Sequence, residues 1–271
     1  MDRTVLITGC SSGIGRATVE AFLDAEWRVV ATARSKADLR DLERGGAHVR
    51  TLDVTKPAQC QSVVEWTVEE TGRLDCLVNN AGYAQFGPLE DVPTRRVEEQ
   101  FEVNVFGPHR LVRAALSHLR ESAGTIVQVG SVSGRLSAPG MGAYAGSKAA
   151  LELMSDALRV ELATDGVDVS VVEPGPVETS FDDRATDSMA DLDRSERYAD
   201  VYSTLEDASF LGSLGSIPPS AVAGVILEAA SSTDPDPRYP VGTPARYLLW
   251  ARFVPDRLRD RVFALLRRLG A

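Results

Sequence analysis

Short runs of Val, Ile and Leu recur along this chain with one amphipathic stretch between each pair, and that alternation restricts the fold more than any other feature. "TVLIT" (4–8) reads as a buried strand and "IGRATVEAFLDAE" (14–26) as a helix. "RVVATA" (28–33) is strand, "KADLRDLERG" (36–45) helix, "AHVRTLDV" (47–54) strand, and "AQCQSVVEWTVEETG" (58–72) helix. "LDCLVNNAG" (74–82) runs from strand into loop, followed by a helical region over 94–120, the strand "TIVQVGS" (125–131), a helix over 142–164 and the strand "VDVSVVEPG" (167–175). Such runs predict a parallel sheet covered on both faces. Right-handed crossovers then give a doubly wound α/β sheet. No linker or repeat interrupts the first 175 residues, so residues 1–271 read as one domain.

The totals agree. At 271 residues, folding buries about three quarters of the unfolded surface without a disulfide or metal staple. A net charge of −10 argues against a nucleic-acid binder. Only Lys36, Lys56 and Lys148 are lysines among 29 basic residues. An acidic, arginine-rich chain fits either a salt-rich cytoplasm or a GC-rich genome. Cys10, Cys60 and Cys76 are too few and scattered for a disulfide framework or zinc site, so no metal is expected and reduced, cytoplasmic cysteines are. "MDRTVLITG" enters a strand at once, which predicts no signal peptide, and no run approaches 18 apolar residues.

"TGCSSGIG" (8–15) joins the first strand to the first helix. Gly9, Gly13 and Gly15 allow a tight turn and a close backbone approach to a pyrophosphate. The helix start, through Ser11, Ser12 and Ile14, offers that anion unpaired N–H groups and a positive dipole end. The carboxylate that would bind an adenosine ribose 2′-hydroxyl belongs at the end of the second strand. Ala33 stands there instead, followed by Arg34, whose guanidinium suits a 2′-phosphate. NADP(H) is therefore expected over NAD.

"YAGSK" puts Tyr144 and Lys148 one helical turn apart. Tyrosine loses its proton only near pH 10, and a neighbouring ammonium favours the phenolate. The spacing alone does not separate a reacting pair from two residues sharing a face. "GSVSG" (130–134) also matches the nucleophile elbow of serine hydrolases, but loop rather than helix follows Ser133. His48, His109 and His118 all precede it, against the expected order.

Taken in order, "TGCSSGIG", "NNAG" (79–82), Asn104 in "NVFG", Ser131, "YAGSK" and "PG" (174–175) resemble the short-chain dehydrogenase/reductase family from residue 4 to about 180. The resemblance implies a Rossmann-type fold, with Tyr144 as general acid/base toward a carbonyl or secondary alcohol. Lys148 would hold the nicotinamide ribose, Ser131 would orient the substrate, and Asn104 would seat a proton-relay water. It further implies cofactor contacts from Asp53 and Val54, from Asn80, Ala81 and Gly82, and from Pro174, Gly175, Val177 and Thr179. Asp53 can equally cap a turn, and Asn79 and Asn80 can equally tie strand ends together. Gly130, where many relatives carry another residue, is expected to loosen the setting of Ser131. Association into dimers or tetramers is expected, and a non-catalytic NADP-binding regulator on this fold is the alternative.

Residues 181–217 form an uncommonly long connection and are expected to be a substrate lid, with a surface helix pair that has no ligand role as the alternative. With "YAQFGPL" (83–89) and "SGRLSAPGMG" (133–142) they suggest an apolar pocket, and the overall similarity is to the hydroxysteroid and retinol branch. The segment 246–271 has seven arginines and two acids, set among leucines. It reads either as an amphipathic helix touching acidic lipid peripherally or as one packed on the acidic domain or a second subunit.

Overall fold

Thr4–Ile7 is apolar enough to lie between two neighbours with every residue buried, and it forms the inner strand β1. In this computed structural model, which describes residues 2–207, 215–242 and 253–269, six further strands join it. They are β2 (Arg28–Ala33), β3 (His48–Thr51), β4 (Cys76–Asn79), β5 (Thr125–Val129), β6 (Asp168–Pro174) and β7 (Arg238–Val241). The order is β3-β2-β1-β4-β5-β6-β7, with every pairing parallel. The chain reverses its direction of travel across the sheet between β1 and β4, so a crevice opens there beyond the strands' carboxyl ends.

Helices cover both faces. On one, α1 (Gly13–Asp24) packs with α9 (Pro219–Ser231), placing Val19, Phe22, Val222 and Ile226 against Val5, Ile7 and Val29. Phe22 is fully buried and meets the Trp27 ring edge-on at 5.0 Å. Such a burial is worth about 1.5–3 kcal/mol. On the other face, α3 (Pro57–Thr71) and α5 (Gly107–Ser122) bring Cys60, Val63, Val64, Leu111 and Leu119 against Leu6, Leu77 and Ile126. Pro57 starts α3 where an N–H would be unpaired anyway, and Gly72, at φ +82°, ends it in the left-handed region. The short α2 (Arg40–Arg44) leads into β3.

α6 (Gly142–Glu161) follows β5. Beyond β6, α7 (Phe181–Asp187) and α8 (Ala199–Glu206) occupy the described part of the expected lid. Residues 208–214 of that expectation, and 246–252 and 270–271 of the tail, lie outside the described residues. The tail helix α10 (Asp256–Leu269) turns Arg259, Asp260, Phe263 and Ala264 toward residues 135–139, across a cleft of about 420 Å³. Its Leu258, Val262 and Leu265 are exposed. Arg259 and Phe263 are half-buried on the cleft side, and the other face meets solvent. No described helix is long and apolar enough to cross a membrane.

One element departs from the sequence reading. The region expected as helical over 94–120 is helical but divides into α4 (Thr94–Phe101), a π-helical turn over Glu102–Phe106, and α5. Pro108 explains why: lacking an N–H, it has nothing to give the Asn104 carbonyl four residues back. The Gly107 N–H reaches Glu102 O instead, inserting one extra residue into the turn.

Candidate active site

The glycine turn closes on itself through Thr8 and Asn80. The Asn80 side-chain amide donates to Thr8 O at 2.8 Å and Gly9 O at 3.1 Å. The Asn80 and Ala81 N–H groups both donate to Thr8 Oγ1 at 3.0 Å. Gly9 adopts φ +73°, and a Cβ there would lie 2.8 Å from Ala81 Cα. At Gly15 a Cβ would sit 2.2 Å from Gly9 O. The loops after β1 and β4 therefore approach as only glycine allows. Asn80 serves as the tie that the sequence left open for it.

Ser12 precedes the first turn of α1, and the side chain of Ile14 packs into the core beneath. Past β6, the Gly175 N–H donates to Val241 O, and Val177 bridges to Ile217. This turns the chain after Pro174 so that Thr179 lies over Gly13, where an added Cβ would stand 3.0 Å from Thr179 Cγ2. From α7, Arg184 Nη1 stands 3.5 Å from Ser12 Oγ. Nothing in the sequence marks that arginine, because only the fold returns α7 to the glycine turn.

At the other end of the crevice, Ala33 is buried and Arg34 is exposed, with no ion pair among the described residues. Asp53 does cap a turn: its Oδ1 accepts from the Thr55 N–H at 3.0 Å and the Thr55 hydroxyl at 2.8 Å. Burial pushes its carboxyl up, but these bonds, with Lys56 and Arg34 nearby, leave it below the usual range. Val54, buried beside it, abuts Gly107 at the start of α5.

Tyr144, Lys148, Ser131 and Asn104 are all buried and converge past the ends of β4 and β5. Lys148 Nζ donates to Val129 O at 2.7 Å and lies 6.0 Å from the Tyr144 ring centroid. Burial pulls its ammonium down to about 8, opposed by the charge of Glu152. A methyl on Gly82 would lie 3.1 Å from Asn104 Oδ1 and 3.7 Å from Lys148 Nζ, so all three meet at one point. The Asn104 amide is fully engaged: Oδ1 accepts from Tyr83 N, and Nδ2 donates to Tyr83 O and Ser147 Oγ. Ser131 begins a short 3-10 turn over Val132–Gly134, its Oγ accepting from Ser133 N at 3.1 Å. Gly134 packs on the backbone of Lys148, which fixes that turn against α6.

Apolar rings close the site. Phe86 and Phe181 stand 6.2 and 5.7 Å from the Tyr144 ring, among Ala84, Met189, Leu192 and Leu205. The segment after β6 is pinned to the one after β4: Tyr202 Oη donates to Asp91 at 2.8 Å, and Ser188 Oγ accepts from Phe86 N.

Two expectations are resolved here. Gly130 is not slack beneath Ser131: its N–H donates to Val172 O at 2.8 Å, and a Cβ would strike Glu152 Oε1 and Val171 Cγ1, each at 2.8 Å. It is small because a buried carboxylate lies against it. Ser133 has no helix directly after it, and none of the three histidines stands on its segment; His48 faces Glu70 and His118 faces Glu121. The elbow-like motif therefore lacks the strand–turn–helix setting of a hydrolase. All three cysteines are buried and free, and burial pushes the Cys10 thiol up to about 12. No metal-ligating cluster occurs among the described residues.

A family model described as short chain dehydrogenase matches residues 3–190. The NADPH-dependent 3-dehydrocapnine reductase of Ornithobacterium rhinotracheale is 34% identical over 276 residues, covering 96% of this chain and 96% of its own. A short-chain dehydrogenase structure from Streptomyces avermitilis has a TM-score of 0.84 at 32% identity, covering 99% of this chain and 98% of that one. A Burkholderia phymatum short-chain dehydrogenase/reductase in complex with NAD scores 0.79 at 26% identity, covering 98% and 95%.

Proposed function

The chain belongs to the short-chain dehydrogenase family and is an oxidoreductase, and from that premise we propose that it interconverts a carbonyl and a secondary alcohol using NADP(H), on a lipophilic substrate. The observation that carries the reading is the convergence of Tyr144, Lys148, Ser131 and Asn104 beside the glycine turn.

The residues fit a dinucleotide. Ser12 makes no side-chain cap at the start of α1, so the first N–H groups of that helix are left open to a pyrophosphate. Arg184 adds a cation on the lid side, and Arg34 stands free for a 2′-phosphate where Ala33 offers no carboxylate to repel it. Asp53 and Val54 would border the adenine end, Asn80, Ala81 and Gly82 the middle, and Pro174, Gly175, Val177 and Thr179 the nicotinamide end. The nicotinamide would supply or accept the hydride.

The protein's part is position and proton movement. Tyr144 Oη gives a proton to the carbonyl oxygen in reduction and takes one from the alcohol in oxidation. Ser131 Oγ donates a hydrogen bond to the same oxygen and orients it. The charged Lys148, one turn from Tyr144, favours the phenolate left after proton donation. The Asn104 side chain is already engaged, so its backbone carbonyl, without an α-helical donor because of Pro108, is the atom that would seat a relay water. Phe86, Phe181, Met189 and Leu205 around Tyr144 favour a lipophilic substrate and exclude bulk water.

The test is Tyr144→Phe, assayed by NADPH absorbance against ketones, aldehydes and alcohols. Turnover is expected to fall about 10²–10⁴-fold, with NADPH binding retained. Unchanged turnover would remove Tyr144 from the mechanism. Cofactor binding with no turnover by the wild type on any carbonyl would favour a regulator.

A further inference from the structure

Behind Lys148 lies an ionic cluster that the proton transfer above does not use. Glu152, one turn along α6, and Glu173, in β6, are 2% and 1% exposed. Arg135, from the turn after β5, places Nε 2.7 Å from Glu173 Oε1 and 3.8 Å from Glu152 Oε2. Arg238, from β7, places Nε 3.2 Å from Glu152 Oε2 and 3.9 Å from Glu173 Oε1. Arg238 is also held by both oxygens of Asp156 at 2.6 Å, and Asp156 takes Arg159 as well at 2.7 Å. Two buried carboxylates thus share two guanidiniums, one of them partly engaged elsewhere.

The arrangement leaves Glu152 Oε1 and Glu173 Oε2 buried without a hydrogen-bond partner among the described residues. A buried carboxylate oxygen with no donor disfavours the charged form. Burial, then the charge of Glu173, pushes the Glu152 carboxyl up to about 7, against the pull of Arg238 and Arg135. Glu152 therefore changes charge just below the pH at which the buried Lys148 would lose its own proton.

We propose that Glu152, set by Glu173, Arg135 and Arg238, is a positioning residue that holds Lys148 in its charged form and so fixes the alkaline limit of the proton transfer. This rests on Tyr144 and Lys148 being the proton-handling pair. As pH rises, a negative charge develops one turn from the lysine before its ammonium is lost, and an opposite charge at that range favours the ammonium. Gly130 belongs to the same device, since any side chain there would displace the Glu152 carboxylate.

The experiment compares wild type, Glu152→Gln and Glu173→Gln. In Glu152→Gln the alkaline limb of kcat/KM for carbonyl reduction is expected to move down by about one pH unit, with the acid limb unmoved. Glu173→Gln keeps the Glu152 carboxylate, so its alkaline limb should stay in place.

Thermal unfolding of the cofactor-free protein gives a readout independent of activity. The folded Glu152 carboxyl titrates above its unfolded value, so between roughly pH 4.3 and 7 the native state holds the extra proton. Its contribution to stability is present below that window and lost as pH rises through it. Glu152→Gln should flatten that slope, and Glu173→Gln should move it to lower pH. An unmoved alkaline limb in a folded Glu152→Gln overturns the proposal, as does an unchanged stability slope. Should Tyr144→Phe keep full turnover, the functional reading fails separately, while the unfolding series still reports the charge state of Glu152.

Discussion

Replacing Gly15 with alanine tests the close approach at the glycine turn with one methyl group. The new Cβ would stand 2.2 Å from Gly9 O and 2.5 Å from Asn80 Nδ2, neither of which is the free end of a flexible chain. Making room displaces the Asn80 amide from Thr8 O and Gly9 O. Two such bonds contribute about 1 kcal/mol each, and overpacking adds about 1–3 kcal/mol. The total is about 3–5 kcal/mol, and at about 2–4 °C per kcal/mol for chains near this size Tm should fall by roughly 10 °C. Gly46→Ala is the control: φ is +105° and nothing lies within 4 Å, so only backbone strain of about 1–2 kcal/mol acts. Scanning calorimetry gives the Tm values, and a fluorescence titration gives NADPH affinity, which Gly15→Ala should lose and Gly46→Ala retain. A Gly15→Ala protein no less stable than Gly46→Ala, with normal affinity, would refute the reasoning.

Arg34→Ala should weaken NADPH by about 10–100-fold, from a charge-assisted phosphate bond of about 1.5–3 kcal/mol, and leave NADH nearly unchanged. Wild type binding NADH more tightly than NADPH would end the 2′-phosphate assignment. Arg184→Ala should weaken both cofactors alike, by about fivefold for an exposed cation worth about 1 kcal/mol, because both carry the pyrophosphate. A loss confined to NADPH would place Arg184 elsewhere.

The sheet was legible because its strands are buried on both faces and therefore read as unbroken apolar runs. "TVLI" and "CLVN" needed no partner to identify them. Strand ends were less so: "AHVRTLDV" supplies only His48–Thr51, since its last residues leave the ladder for the Asp53 turn. Tyr144, Lys148, Ser131 and Asn104 stood out as candidates from spacing and family likeness. Glu152 and Glu173 could not, because a charged residue on a helix, or at the end of a strand, normally points to water. Only the adjacency of α6 and β6 buries this pair, and Gly130, the local clue, points the wrong way without that contact.

The π-helical turn at Glu102–Phe106 ties a backbone irregularity to the aim of two side chains. Removing one residue there would rotate what precedes it by roughly 100° relative to α5. Gln100 and Asn104 would then swing out of line with Gln85, Tyr83 and Ser147, and Pro108 would still have no donor to give the preceding turn. Single deletions in this segment should therefore be lost from a library screened for thermal stability as well as from one screened for turnover. The surplus residue is a spacer that neither the packing nor the asparagine can give up.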